Sequence, residues 1–121
     1  MGAVFGRNIK ISIFGESHGA GIGCVLSGLP AGIELDLAAI NLQLQRRAPG
    51  NNPLATARRE ADMPEIISGV FNGRTTGAPL CMLIKNSQQH SKDYSLLKDI
   101  MRPGHADYSA YVKYNGFNDY R

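Results

Sequence analysis

The residues in this sequence with the clearest chemistry are two histidines and a pair of arginines. His18 lies in Gly15-Glu16-Ser17-His18-Gly19, and His105 in Arg102-Pro103-Gly104-His105-Ala106-Asp107. Imidazole can give up or accept a proton near neutral pH, which suits it to general acid–base work. Arg46 and Arg47 adjoin, and Arg58 and Arg59 form a second pair. A guanidinium presents a planar fork of donors that matches a carboxylate or a phosphate. Proton carriers and clustered arginines together suit a small polyanionic ligand better than a long phosphate backbone. His90, the third histidine, stands among polar residues and reads as a surface side chain.

Ser17 complicates this picture, because Gly15 to Gly19 satisfies G-x-S-x-G, the nucleophile elbow of α/β-hydrolases. An elbow needs a strand before the serine and a helix after it. The strand is there in outline: Ile9, Ile11 and Ile13 alternate with Lys10 and Ser12, a period of two with one buried face. The helix is not. Gly19, Gly21 and Gly23 follow, and each glycine costs a helix interior about 1 kcal/mol against alanine. Cys24-Val25-Leu26 suits a second strand, so Ser17 reads as part of a strand–loop–strand connection that presents His18. A dinucleotide fingerprint fails as well, since position 24 is cysteine where G-x-G-x-x-G requires glycine. The glycines then read as a flexible loop where backbone could approach a ligand closely.

With 121 residues the chain is at most one domain or part of one. Its Leu, Ile, Val and Phe content, about a quarter, lies above that of disordered chains. No apolar run approaches the ~20 residues of a membrane span, and the start lacks a signal-peptide core, so a cytoplasmic protein without membrane partners is expected. The net charge of +3 is too small to argue for nucleic acid. Cys24 and Cys81 sit in separate apolar runs and read as small buried side chains rather than a disulfide or metal site.

The elements that must position these residues follow from periodicity. Hairpins are expected at roughly 8–27, with strands over 8–14 and 22–27, and at 65–85, with Asn72-Gly73 as a type I′ turn in the second. Pro79 places the start of the returning strand, 78–84, at a sheet edge. Asp36 can cap a helix whose stripe is Leu37, Ile40 and Leu44, closed by Ala48-Pro49-Gly50. Arg47 falls on the stripe side of that helix, and spacing leaves open whether it meets a protein carboxylate or a bound anion. Residues 51–62 read as a polar loop, with Arg58-Arg59-Glu60 a solvated charge run, and 95–101 as a short helix. A tyrosine-rich helix near 106–114 puts His105 at its N-terminus, with Asp107 in an N-cap arrangement. The class is α+β, built on antiparallel hairpins.

Against known families, the chain resembles the N-terminal part of chorismate synthases. The matching blocks are FGESHGAGIGCVLSGLPAGI, the helix ending in QRRAPG, PEIISGVFNGRTTGAPL and KDYSLLKDIMRPGHADYSAYVKY, in the family's order. The resemblance implies a β-α-β sandwich, with helices between antiparallel sheets, assembling as a homotetramer. It implies an anti 1,4-elimination of phosphate from 5-enolpyruvylshikimate 3-phosphate to give chorismate, the last step of the shikimate pathway. Reduced FMN is required without net redox change, and NADPH only if the protein reduces its own flavin. By resemblance, His18 protonates the departing phosphate and His105 protonates or stabilises the reduced flavin. Arg47 serves substrate and flavin, and Ser17 serves the substrate. Departures from the family pattern fall at Ala48, Pro53 and His90, away from both motif histidines. The resemblance also implies that residues 1–121 are the N-terminal portion of one family domain, ending before a glycine-rich flavin loop and inactive alone.

Overall fold

The computed structural model describes residues 3–16, 18–47, 64–86 and 100–117. Its elements run β1 (Val4–Phe5), β2 (Lys10–Gly15), β3 (Gly21–Ser27), α1 (Leu37–Arg47), β4 (Glu65–Ser68), β5 (Val70–Phe71), β6 (Arg74–Thr75), β7 (Leu80–Lys85) and α2 (Asp107–Lys113). Five strands form one sheet in the order β1-β2-β3-β7-β4, with every pairing antiparallel. The fold is α+β, as the alternation of Ile9, Ile11 and Ile13 predicts. A strand, not a helix, follows the turn after Ser17, which sets the hydrolase elbow aside.

Register decides what each strand offers. Ile13 pairs with Cys24 and Cys24 with Met82, so these three share one face across β2, β3 and β7. That face carries α1: Ile40 and Leu44 overhang Ile13, Ile22, Met82 and Ile84 across an apolar cavity of about 200 Å³. The other face carries Phe14, Val25 and Leu83. Cys24 and Cys81 lie on neighbouring strands with opposite orientations, and both are free and half-buried. Burial and the neighbouring Cys81 push the Cys24 thiol above its usual range.

Three expectations need correction. Gly21 belongs to β3 rather than to a flexible loop, joining Gly23, which the strand expected over 22–27 already held. Both pair with neighbouring strands, and both must be glycine because a Cβ on either would collide with the fold. At Gly23 it would meet the Phe14 ring at 2.5 Å and the Met82 carbonyl at 2.6 Å; at Gly21 it would meet the Ile84 carbonyl at 2.7 Å. Pro79 does not mark an edge: β7 lies between β3 and β4, and the proline stands one residue ahead of it. Its carbonyl accepts a 2.8 Å bond from the Ser68 hydroxyl, beside the bulge between Ile66 and Ser68. The isoleucine face is not buried. Ile11 and Ile13 stay exposed, because α1 is the described helix over that face and it leaves a gap. Leu80, 3% exposed, is the buried hydrophobic side chain of the described residues.

The second hairpin is more elaborate than its pattern suggests. Asn72 and Gly73 both take positive φ (49° and 74°), as a type I′ turn requires, but the turn closes the small β5–β6 ribbon. Thr75, 6% exposed, joins that ribbon to the chain entering α1. Its hydroxyl donates to the Pro30 carbonyl (2.7 Å) and accepts from the Ile33 amide (2.9 Å). Backbone bonds from Gly32 to Thr75, Thr75 to Ile33 and Leu35 to Gly73 complete the seam. The seam delivers Asp36 to the start of α1, where its carboxylate caps the Ala39 amide at 2.9 Å. The helix expected at 95–101 falls almost wholly outside the described residues, as do the 51–62 loop and His90; Ile100 and Met101 are not helical.

Candidate active site

His18 occupies the connection between β2 and β3. Gly15 enters it with φ 110°, a conformation other residues resist, and the Gly19 amide closes it on the Glu16 carbonyl at 3.1 Å. A Cβ on Gly15 would strike the Gly21 carbonyl at 2.5 Å, so the turn is tight because its base is glycine. His18 is 9% exposed, and its Nδ1 is shut off from solvent. A buried imidazole on a short turn between two paired strands is held far more firmly than one on a loose glycine loop. Electrostatic interactions at such a water-poor position are stronger than at an open one. Ser17 lies outside the described residues.

His105 is placed differently. It is exposed and stands two residues ahead of α2. Arg102-Pro103-Gly104-His105 has the residues of a type II turn: proline at the second position, and glycine with φ 78° at the third. The His105 amide closes it on the Arg102 carbonyl at 3.3 Å. Asp107 is not the N-cap. That position is Ala106, without a side-chain cap, and the Asp107 carboxylate turns back to Arg102 instead. It accepts from the Arg102 amide (2.9 Å), Nε (2.9 Å) and Nη2 (3.1 Å). Those bonds, foremost the side-chain pair, lower the Asp107 pKa to about 2. This carboxylate–guanidinium pair was not evident from periodicity; its signal was the spacing of Arg102 and Asp107 around Pro-Gly.

Arg47 ends α1 beside Arg46, and both are exposed. The stripe-side placement therefore does not bury it: Ile40 and Leu44 are half-buried, whereas Leu37 and Arg47 face solvent. The stripe meets the sheet only at its middle. Arg46 is tied to Gln43 at 3.1 Å. The structure thus holds His18, His105 and Arg47 on three separate elements: a buried hairpin turn, an exposed turn ahead of α2, and the end of α1. Cations at the C-terminal end of a helix are favoured there by its dipole as well as by any anion they meet.

The class defined so far is an α+β protein with an antiparallel sheet, a helix across one face, and histidines on two structured turns. The family profile described as chorismate synthase matches residues 9–121. A chorismate synthase of Sulfurimonas denitrificans is 56% identical over 117 residues, covering 97% of this chain and 32% of the relative. One of a Nitratiruptor species is 54% identical over the same length and shares. A crystal structure of a chorismate synthase superposes with a TM-score of 0.61 at 34% identity, over 90% of this chain and 25% of that one. The chain belongs to the chorismate synthase family. It spans about a third of the length of the curated relatives it matches.

Proposed function

We propose that the protein carrying this segment is a chorismate synthase, a carbon–oxygen lyase. It eliminates phosphate from 5-enolpyruvylshikimate 3-phosphate in the anti 1,4 sense to give chorismate. The observation that carries this reading is the match of residues 9–121 to the family, with both motif histidines on ordered turns. Loss of phosphate develops negative charge on the departing oxygen. His18 donates a proton to that oxygen, from a turn that shields its ring from water. The substrate carries two carboxylates and a phosphate, and the exposed guanidinium of Arg47 binds one of these anions as a planar fork. Ser17, next to His18 in sequence, contributes a hydroxyl to substrate binding.

The family reaction uses reduced FMN, and the donor set accommodates part of such a group. An exposed imidazole at His105 and an exposed guanidinium at Arg47 suit an electron-rich ring or its phosphate. The cavity beneath α1 does not, since its lining offers no polar side chain beyond the Cys24 thiol. Reduced FMN, when bound, supplies the electron density that the elimination needs without net redox change. His105 would hold a proton for the flavin, and Arg47 would contribute positive charge to it. NADPH enters only if the protein reduces its own flavin. A homotetramer in the cytoplasm is the assembly and compartment this reading entails. Among the described residues no helix is long and apolar enough to cross a membrane.

The test is direct. The full-length protein, given photoreduced FMN and 5-enolpyruvylshikimate 3-phosphate under anaerobic conditions, should release chorismate and phosphate in equal amounts. Substrate binding without product would leave a non-catalytic anion-binding module instead. Stoichiometric labelling of Ser17 by a fluorophosphonate would return the chain to the hydrolases.

A further inference from the structure

The residues around His105 form a closed device. A type II turn is pinned at its second and third positions by the ring of Pro103 and the positive φ of Gly104. A turn alone fixes only four residues, and its closing bond from the His105 amide is 3.3 Å long. The chain beyond it would remain free to swing. What prevents this is the carboxylate of Asp107, the first residue of α2, which takes three donors from the first residue of the turn. Arg102 is therefore gripped from both sides. Its carbonyl holds the His105 amide, while its amide and guanidinium hold the helix start. The side chains of both partners are mostly withdrawn from solvent (24% and 18% exposed), unlike the surface pairs Arg74–Glu34 and Lys85–Glu65. A bidentate arginine–carboxylate pair has a defined plane, so it fixes orientation as well as distance.

We propose that Asp107 and Arg102 act as positioning residues for His105, stapling the turn to α2 so that the imidazole leaves it in one direction. A two-pronged pair bridging five residues is more than a helix start requires, since a serine or aspartate at Ala106 would cap α2 more simply. Among the described residues no backbone hydrogen bond joins the turn to α2 across Ala106, and the carboxylate links the two directly. The catalytic consequence rests on the role of His105 given under Proposed function; the geometric one does not.

The experiment uses the full-length protein and reads both consequences. Asp107→Asn should speed hydrogen exchange at the His105 amide by about tenfold. It should also lower kcat by about 10–10²-fold, the scale expected of a small misplacement, with KM for 5-enolpyruvylshikimate 3-phosphate within about twofold. Asp107→Glu should recover much of both, while Arg102→Lys should not, because an ammonium cannot hold two oxygens in plane. Gly104→Ala is the independent variant. A Cβ there meets nothing within 4 Å, so only the backbone conformation is strained and the fold survives. It should reproduce the kcat loss from the turn side with the carboxylate intact. Unchanged exchange at His105 in Asp107→Asn would overturn the proposal, as would a loss confined to KM. If His105→Ala keeps normal kcat while Asp107→Asn still speeds exchange, the staple stands and the role given to His105 falls.

Discussion

At the scale of residues, the two histidines stand in different surroundings. His18 is buried on a hairpin turn, and His105 is exposed on a stapled one. If His18 is the acid for phosphate departure, His18→Ala in the full-length protein should lower kcat by about 10²–10⁴-fold with little change in substrate binding. Arg47→Ala should show the reverse balance, weakening binding by about 1.5–3 kcal/mol as a charge-assisted contact is lost. Steady-state kinetics beside equilibrium titration separates the two. Asp107 makes a third case, readable without activity. Its folded pKa, about 2, lies below the ordinary 3.8 because Arg102 donates to both of its oxygens. A depressed carboxylate stabilises the fold above its unfolded pKa and loses that contribution as pH falls through the folded value. The segment around α2 should therefore hold at pH 5 and loosen between about pH 4 and pH 2. The neighbouring tyrosines 108, 111 and 114 can report it by fluorescence. In Asp107→Asn that acid step should disappear.

At the scale of elements, small residues decide what packs on what. The ring of Phe14 lies where a Cβ on Gly23 would be, with the Met82 backbone on the far side. Gly23→Ala would clash with both, and a backbone carbonyl in a paired strand yields poorly. It should destabilise the protein by about 1–3 kcal/mol in denaturant unfolding, without touching the histidine turn directly. Thr75 decides where α1 begins. Thr75→Val keeps the shape but takes the partner away from the Pro30 carbonyl and the Ile33 amide at a part-buried seam. A loss of about 1–3 kcal/mol follows, along with faster amide exchange through the first turn of α1. A variant as stable as the parent would mean that water replaces the hydroxyl at that seam.

At the scale of the whole molecule, the described residues cover little of their own apolar surface. Phe5, Ile13, Ile22, Phe71 and Phe117 are all exposed, Phe117 to 92%, and the space beneath α1 is unfilled. Ile13 and Ile22 line one apolar cavity, and an exposed apolar surface of that kind marks a site that other polypeptide covers. In the full-length protein, Ile13 and Ile22 should be protected from solvent. In the isolated 121-residue chain the same surface should bind a hydrophobic dye such as ANS strongly, and the chain should give no chorismate with reduced FMN. Turnover by the isolated segment, or absence of dye binding, would count against both expectations.

The β2–β3 hairpin, the 37–47 helix with its Asp36 cap and the Asn72-Gly73 turn could be read from the sequence, because each follows from local steric and hydrogen-bonding rules acting over a few residues. The family could be read too, since its motifs are long and ordered. Other features depended on groups distant in the chain. Nothing local told that the strand begins at Gly21, or that Gly21 and Gly23 must both be glycine to clear Phe14 and β7, because the clash that demands glycine comes from neighbouring strands. The central position of β7 behind Pro79 required β3, far back in the chain, to pair on the side away from β4. The exposure of Arg47 required knowing that α1 meets the sheet only at Ile40 and Leu44. The turn of Asp107 toward Arg102 rather than its own helix start was a competition between two hydrogen-bonding arrangements. Periodicity carries no information about such a competition; only the tertiary structure decided which side won.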